Sequence, residues 1–178
     1  MDPVITVTVS ICMSLLFGAA AVHKLQAPAA FRAAVEDYRL VPRALAGTVA
    51  VALVLAESLA ALLALIPPTQ AAGLAAIAGL LGVYTSGIGI NLYRGRRDID
   101  CGCSGPAARQ VLSGWLVLRN LLLLALVLLA LEPSAPRPLN WLDLLVVAFG
   151  VLVASGLYLA INQLLIQLPG MTRLRSGV

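Results

Sequence analysis

Two cysteines one residue apart, Cys101 and Cys103, flank Gly102 in the stretch from Asn91 to Pro106, the longest polar segment between the apolar runs of this 178-residue chain. Thiols at that spacing cannot meet on a regular helix, where side-chain neighbours lie three or four residues apart. They can meet in a turn, and a glycine between them reaches backbone angles that other residues avoid. A disulfide closed in so small a ring departs from relaxed geometry and is easier to reduce, which suits thiol–disulfide exchange better than permanent cross-linking. The surrounding charge is mixed. Arg94, Arg96 and Arg97 favour the thiolate, the reactive form, while Asp98 and Asp100 act in the opposite sense. Two sulfurs also suit a soft metal, although the sole histidine, His23, lies in another loop. The blander reading is that two small residues occupy a turn.

The third cysteine, Cys12, falls in the first apolar run, where a free thiol behaves as a small buried hydrophobe. The chain therefore carries one dithiol, and electron transfer across a membrane would require a partner protein or a quinone. Glu57 and Arg119 are ionisable residues inside apolar runs, and Asn120 adjoins Arg119. Intramembrane charges are costly and are usually paired or functional, so a Glu57–Arg119 pair is expected, despite a depth mismatch of about 9 Å by helix rise. It would act as a structural pair or as part of a proton or quinone site. His23-Lys24 closes the first apolar run, and an amphipathic segment from Pro28 to Leu40 follows. Such a segment can lie along the membrane interface. It reads as a snorkelling anchor, or else His23 shuttles protons near the thiols.

Composition dictates what positions these groups. The chain is 61% hydrophobic and 11% charged, with mean hydropathy +0.98, whereas a soluble domain carries roughly a quarter charged residues. With about 20 apolar residues per spanning helix, five spans are expected, at about 4–22, 44–66, 70–92, 113–131 and 142–168. They form a single all-α transmembrane bundle with no separate soluble domain. Asp2 and the lack of early Lys or Arg argue against a cleaved signal. Pro67-Pro68 and Pro169-Gly170 read as helix stops and Ser113 as an N-cap. Gly79, Gly82, Ser86 and Gly89 put small residues on one face of the third span, where a neighbouring helix can approach closely.

Ten of the twelve basic residues lie in the first loop, the third loop and the C-terminal tail. Cytoplasmic loops are enriched in Lys and Arg, so the N-terminus is placed outside and the Cys101 loop and C-terminus inside. The basic residues form no stripe that would suit nucleic acid.

Taken together, His23-Lys24, the segment from Phe31 to Pro42, Glu57, the approach from Arg94 to Cys101-Gly102-Cys103, and Arg119-Asn120 resemble the MauE family of methylamine-utilisation membrane proteins, related to DoxX-like redox-associated proteins. The resemblance implies a DoxX-like four-helix core plus one helix in the bacterial cytoplasmic membrane. It also implies a thioredoxin-like partner, and an exported disulfide-containing client such as the small subunit of methylamine dehydrogenase. Cys101 and Cys103 would be the exchanging pair. Two other readings stand beside this: a non-catalytic assembly or scaffold subunit, and a protein that binds or transports a soft metal.

Overall fold

The computed structural model describes residues 2–97, 99, 111–133 and 137–175, with side chains as far as 164. Six helices follow one another: α1 (Pro3–Gln26), α2 (Pro28–Tyr38), α3 (Arg43–Leu65), α4 (Gln70–Tyr93), α5 (Gly114–Leu131) and α6 (Trp141–Arg175). There is no β-strand among the described residues. All but α2 are long and apolar enough to cross a membrane, and the chain is a multi-pass membrane protein. Their exposed faces carry Leu, Val and Phe throughout, the surface that lipid solvates.

Local chemistry sets the boundaries. The Asp2 carboxylate accepts from the Val4 backbone N–H and Pro3 occupies the first turn of α1, where a missing N–H costs nothing. Pro28 likewise opens α2, which stops at Arg39 in the left-handed region (φ 49°). Pro67-Pro68 ends α3 in a 3-10 turn that passes directly into α4. At this hairpin α3 and α4 touch so closely that a Cβ on Gly73 would lie 2.2 Å from the Ala64 backbone nitrogen.

Two expectations about elements are corrected. Among the described residues the glycine face of α4 does not receive a neighbour: a Cβ at Gly79, Gly82 or Gly89 would meet nothing within 4 Å, and Ser86 is exposed. The close approach falls at Gly73 instead, since spacing alone does not say which face turns inward. Helix α6 also continues through Pro169-Gly170 to Arg175. Proline's fixed φ is compatible with a helix, and what it removes is one hydrogen bond. Ser113 does hold the N-cap position of α5, without a side-chain cap bond.

Helix α1 lies at the centre of the bundle, in contact with α2, α3, α4, α5 and α6. The main core joins Met13 and Phe17 of α1 to Ala60, Ala61 and Ala64 of α3, to Leu74, Ile77 and Leu81 of α4, and to Val127 of α5. The alanines on α3 keep that helix close to its neighbours. A smaller cluster of Ile88, Ile99, Leu112 and Leu116 closes the end where α4 finishes and α5 begins.

Candidate functional site: a buried charge node and two polar anchors

A helical side chain leans toward the N-terminus of its own helix, so a lysine in the last turn of α1 can reach back into the bundle. Lys24 does this. Its ammonium donates to Oε1 of Glu57 on α3, and the two side chains are 2% and 1% exposed. The Tyr84 hydroxyl of α4 donates to the same Oε1 at 2.6 Å and accepts from Lys24 at 3.3 Å. The ammonium also lies 4.7 Å from the Phe31 ring centroid and 4.9 Å from that of Tyr84, within cation–π range. One cation thus binds together α1, α2, α3 and α4. The other carboxylate oxygen, Glu57 Oε2, is buried and has no hydrogen-bond partner among the described residues.

This corrects two readings. Lys24 is not a snorkelling anchor, because Phe31 and Tyr84 cover it, while its neighbour His23 is exposed. Glu57 pairs with Lys24, and Arg119 belongs to a different cluster. Arg119 Nη1 donates to Asn162 Oδ1 of α6 at 3.2 Å. Its Nε and Nη2 donate to Asn120 Oδ1 at 3.4 and 3.3 Å, and its guanidinium lies 6.0 Å from the Tyr158 ring. The depth mismatch in the sequence foreshadows this separation. A signal for Lys24 was present too: Ser10, Ser14, Ala21 and Lys24 fall on one arc of α1 at 100° per residue, and all four are buried.

The second anchor lies at the end of α4. Asn91 is fully buried and donates to the Gly87 carbonyl at 3.1 Å. Its Oδ1 accepts from Arg96 Nη1 at 3.0 Å, and its backbone carbonyl accepts from the Arg96 N–H at 2.9 Å. One of the three arginines preceding the cysteines is thereby fixed to the bundle. Beyond it, the Leu112 N–H donates to the Ile99 carbonyl at 3.1 Å, both residues being buried. Cys101, Gly102 and Cys103 fall between these two positions and lie outside the described residues. Cys12 is half-buried in α1.

At the opposite end, Arg137 joins the start of α1 to the start of α6. Its Nη2 donates to both Asp2 oxygens at 3.0 and 3.1 Å and its Nη1 to Asp143 at 2.7 Å. The Val4 amide, followed by Arg137, holds the Asp2 carboxyl below its ordinary range. Arg137 is pushed up, first by Asp143 and then by Asp2, and stays charged. In the sequence Arg137 is only an isolated basic residue in a loop, and nothing local points to Asp2.

Against known proteins, the family described as "Methylamine utilisation protein MauE" matches residues 2–132. The "Methylamine utilization protein MauE" of Paracoccus versutus is 38% identical over 160 residues, covering 89% of this chain and 84% of that protein. The protein of the same description from Methylorubrum extorquens is 40% identical over 137 residues (76% and 74%), and that from Paracoccus denitrificans 37% over 127 residues (71% and 68%). No solved structure matches. The matched stretch ends after α5, and it contains the charge node, Asn91, Cys101, Cys103 and Arg119.

Proposed function

Given that the chain belongs to the MauE family, we propose that it is the membrane component of a thiol–disulfide redox or maturation system in methylamine utilisation. Cys101 and Cys103 form the exchanging dithiol, a thioredoxin-like protein is the redox partner, and the client is an exported protein with disulfides. The methylamine dehydrogenase small subunit is the example the family suggests. One thiolate attacks the partner's disulfide and forms a mixed disulfide. The second displaces the partner's sulfur, leaving a Cys101–Cys103 disulfide here and a dithiol on the partner; run backwards, the same steps reduce this chain.

The observation that carries the reading is the Cys-Gly-Cys sequence, inside the family-matched stretch and in the segment that follows the end of α4, where Asn91 is tied to Arg96. In this reading the protein sits in the bacterial cytoplasmic membrane, with the N-terminus outside. The cysteine segment and C-terminus face the cytoplasm, where the basic residues concentrate. Because the client is exported and the chain holds one dithiol, electrons cross through a partner or a quinone. Lys24, Glu57, Tyr84, Arg119 and Asn120 are positioning residues that hold the helices around the segment.

Thiol-alkylation gel shifts in cells test this. The cysteines should label under reducing growth and be protected under oxidising growth, and Cys103→Ser should accumulate a mixed disulfide with the partner and halt client maturation. Equal labelling in both states, with maturation intact in Cys103→Ser, would sink the thiol reading. A double Cys→Ser variant that still matures its client would point to an assembly subunit.

A further inference from the structure

The outer face of α3 carries a groove of about 540 Å³, lined by Gly47, Thr48, Val51, Ala52 and Leu55. Short side chains at 47, 48 and 52 leave the space, and the exposed Val51 and Leu55 make its wall apolar. At 1.5 Å per residue the lining positions cover about 12 Å of helix, close to the ~15 Å depth of one bilayer leaflet. Beyond Leu55 the same face continues with the exposed Leu59 and Leu62, whose bulk ends the groove. A neighbouring helix is received by small residues along its whole contact. Here they stop within one leaflet, a length that suits a single acyl chain.

The mouth of the groove is cationic. Arg43 lies one turn before Gly47, is exposed, and has no carboxylate partner among the described residues. From α2, Arg32 reaches across to α3: the atoms nearest a Cβ at Gly47 are Arg32 Cδ, Nε and Cζ, each at 3.8 Å. Arg32 Nε donates to Glu36 at 2.9 Å, and its two Nη groups have no partner among the described residues. Asp37 is five positions from Arg32, about 140° around α2 at 100° per residue, with the buried Phe31 and Ala34 face between them. Glu36 balances Arg32, so Arg43 leaves the mouth net positive. Next below it comes Thr48, exposed and without a hydrogen-bond partner among the described residues, about 8 Å along the helix from Arg43.

We propose that this groove binds one anionic phospholipid. Its phosphate is held by Arg43 and the Nη groups of Arg32, a glycerol-ester carbonyl accepts from the Thr48 hydroxyl, and one acyl chain lies along Val51, Ala52 and Leu55. Phosphate, ester and hydrocarbon follow one another inward from the membrane surface, and α3 presents cation, hydroxyl and apolar trough in that order. Because Arg32 belongs to α2 and the trough to α3, the bound lipid fastens to the bundle the helix whose Phe31 ring lies over Lys24.

The site uses neither cysteine, so its test separates from that of the thiol reading. Native mass spectra of the full-length protein, released from micelles holding equal amounts of phosphatidylglycerol and phosphatidylcholine, should show a complex with one phosphatidylglycerol. Thr48→Leu/Ala52→Leu fills the groove on a face that the fold leaves exposed, and should remove the bound lipid. Arg43→Gln should reduce the preference for phosphatidylglycerol over phosphatidylcholine about fivefold, the worth of one basic residue against an anionic headgroup. In liposomes, phosphatidylglycerol with a diazirine in its acyl chain should label α3 between Gly47 and Leu55. Equal retention of the two lipids, a preference unchanged in Arg43→Gln, or labelling spread evenly over the exposed faces of α3, α5 and α6 overturns the proposal. So does a second copy of the chain in the groove, seen as a dimer that Thr48→Leu/Ala52→Leu dissociates.

Discussion

Replacing Lys24 by Met keeps much of the side-chain volume and removes its charge. The consequence follows from the surroundings of Glu57. That carboxylate is 1% exposed, and Lys24 is its ion-pair partner among the described residues. Without the lysine, Tyr84 is the one remaining donor to it among the described residues. Two unit charges at contact distance are worth about 4 kcal/mol at an effective dielectric of 20, and removing one member of a buried pair typically costs about 3–5 kcal/mol. Lys24→Met should therefore destabilise the protein by about 4 kcal/mol. Glu57→Gln alone should destabilise it similarly, by stranding the ammonium. The double variant Lys24→Met/Glu57→Gln should lie within about 1–2 kcal/mol of the parent, since a neutral amide beside Tyr84 leaves no uncompensated charge. Equilibrium unfolding in mixed micelles, followed by the fluorescence of Trp115 and Trp141, supplies the cycle. Coupling of at least ~2 kcal/mol is expected. Additive losses would refute the pairing, and rescue of Glu57→Gln by Arg119→Met would restore Arg119 as the partner.

Three further outcomes follow from other contacts. Gly73→Ala places a methyl against the Ala64 backbone and should lower stability by about 1–3 kcal/mol, whereas Gly79→Ala and Gly82→Ala should stay within about 0.5 kcal/mol; the same unfolding assay reads all three. Asn162→Ala removes an Arg119 contact and should speed amide exchange in the middle of α6 without affecting α3, as measured by hydrogen-exchange mass spectrometry. The Asp2 carboxyl is held low, so its contribution to joining α1 and α6 is fully present above the ordinary carboxylate range near pKa 3.9 and is lost as pH falls through the lower folded value. An NMR titration of a labelled Asp2 carboxyl should show that depressed midpoint, and Arg137→Ala should move it upward.

The spans were legible because each apolar run is long enough to cross a bilayer, and the prolines at positions 3, 28 and 67 mark turns by removing donors. Glu57 and Arg119 were recognisable as interior polar groups because hydrocarbon makes them expensive. Their partners were not. Whether Lys24 reaches lipid headgroups or a carboxylate depends on where α3 and α4 lie, and a lysine in a last turn has the same sequence signature in both cases. The glycines of α4 pose the same problem: Gly73 and Gly79 look alike in the sequence, and only the neighbouring helix distinguishes them. Arg137 and Asp2 lie 135 residues apart, too far for any local pattern to connect.

The separation between Lys24 and Glu57 also bears on how the protein is made. They are 33 residues apart, so at a synthesis rate of about 5–20 residues per second the lysine precedes its partner by about 2–7 s. During that interval α1 has emerged as a membrane segment whose ammonium has not yet met Glu57. Its place in the last turn provides a temporary solution, since a long side chain near a helix end can extend to the headgroups. When α3 arrives, the ammonium can fold inward, and α1 exchanges lipid for helix neighbours. The charge that later fastens four helices together first serves to hold the earliest one at the membrane boundary, and a nascent chain stalled before Glu57 should expose Lys24 to water-soluble amine reagents that the finished protein excludes.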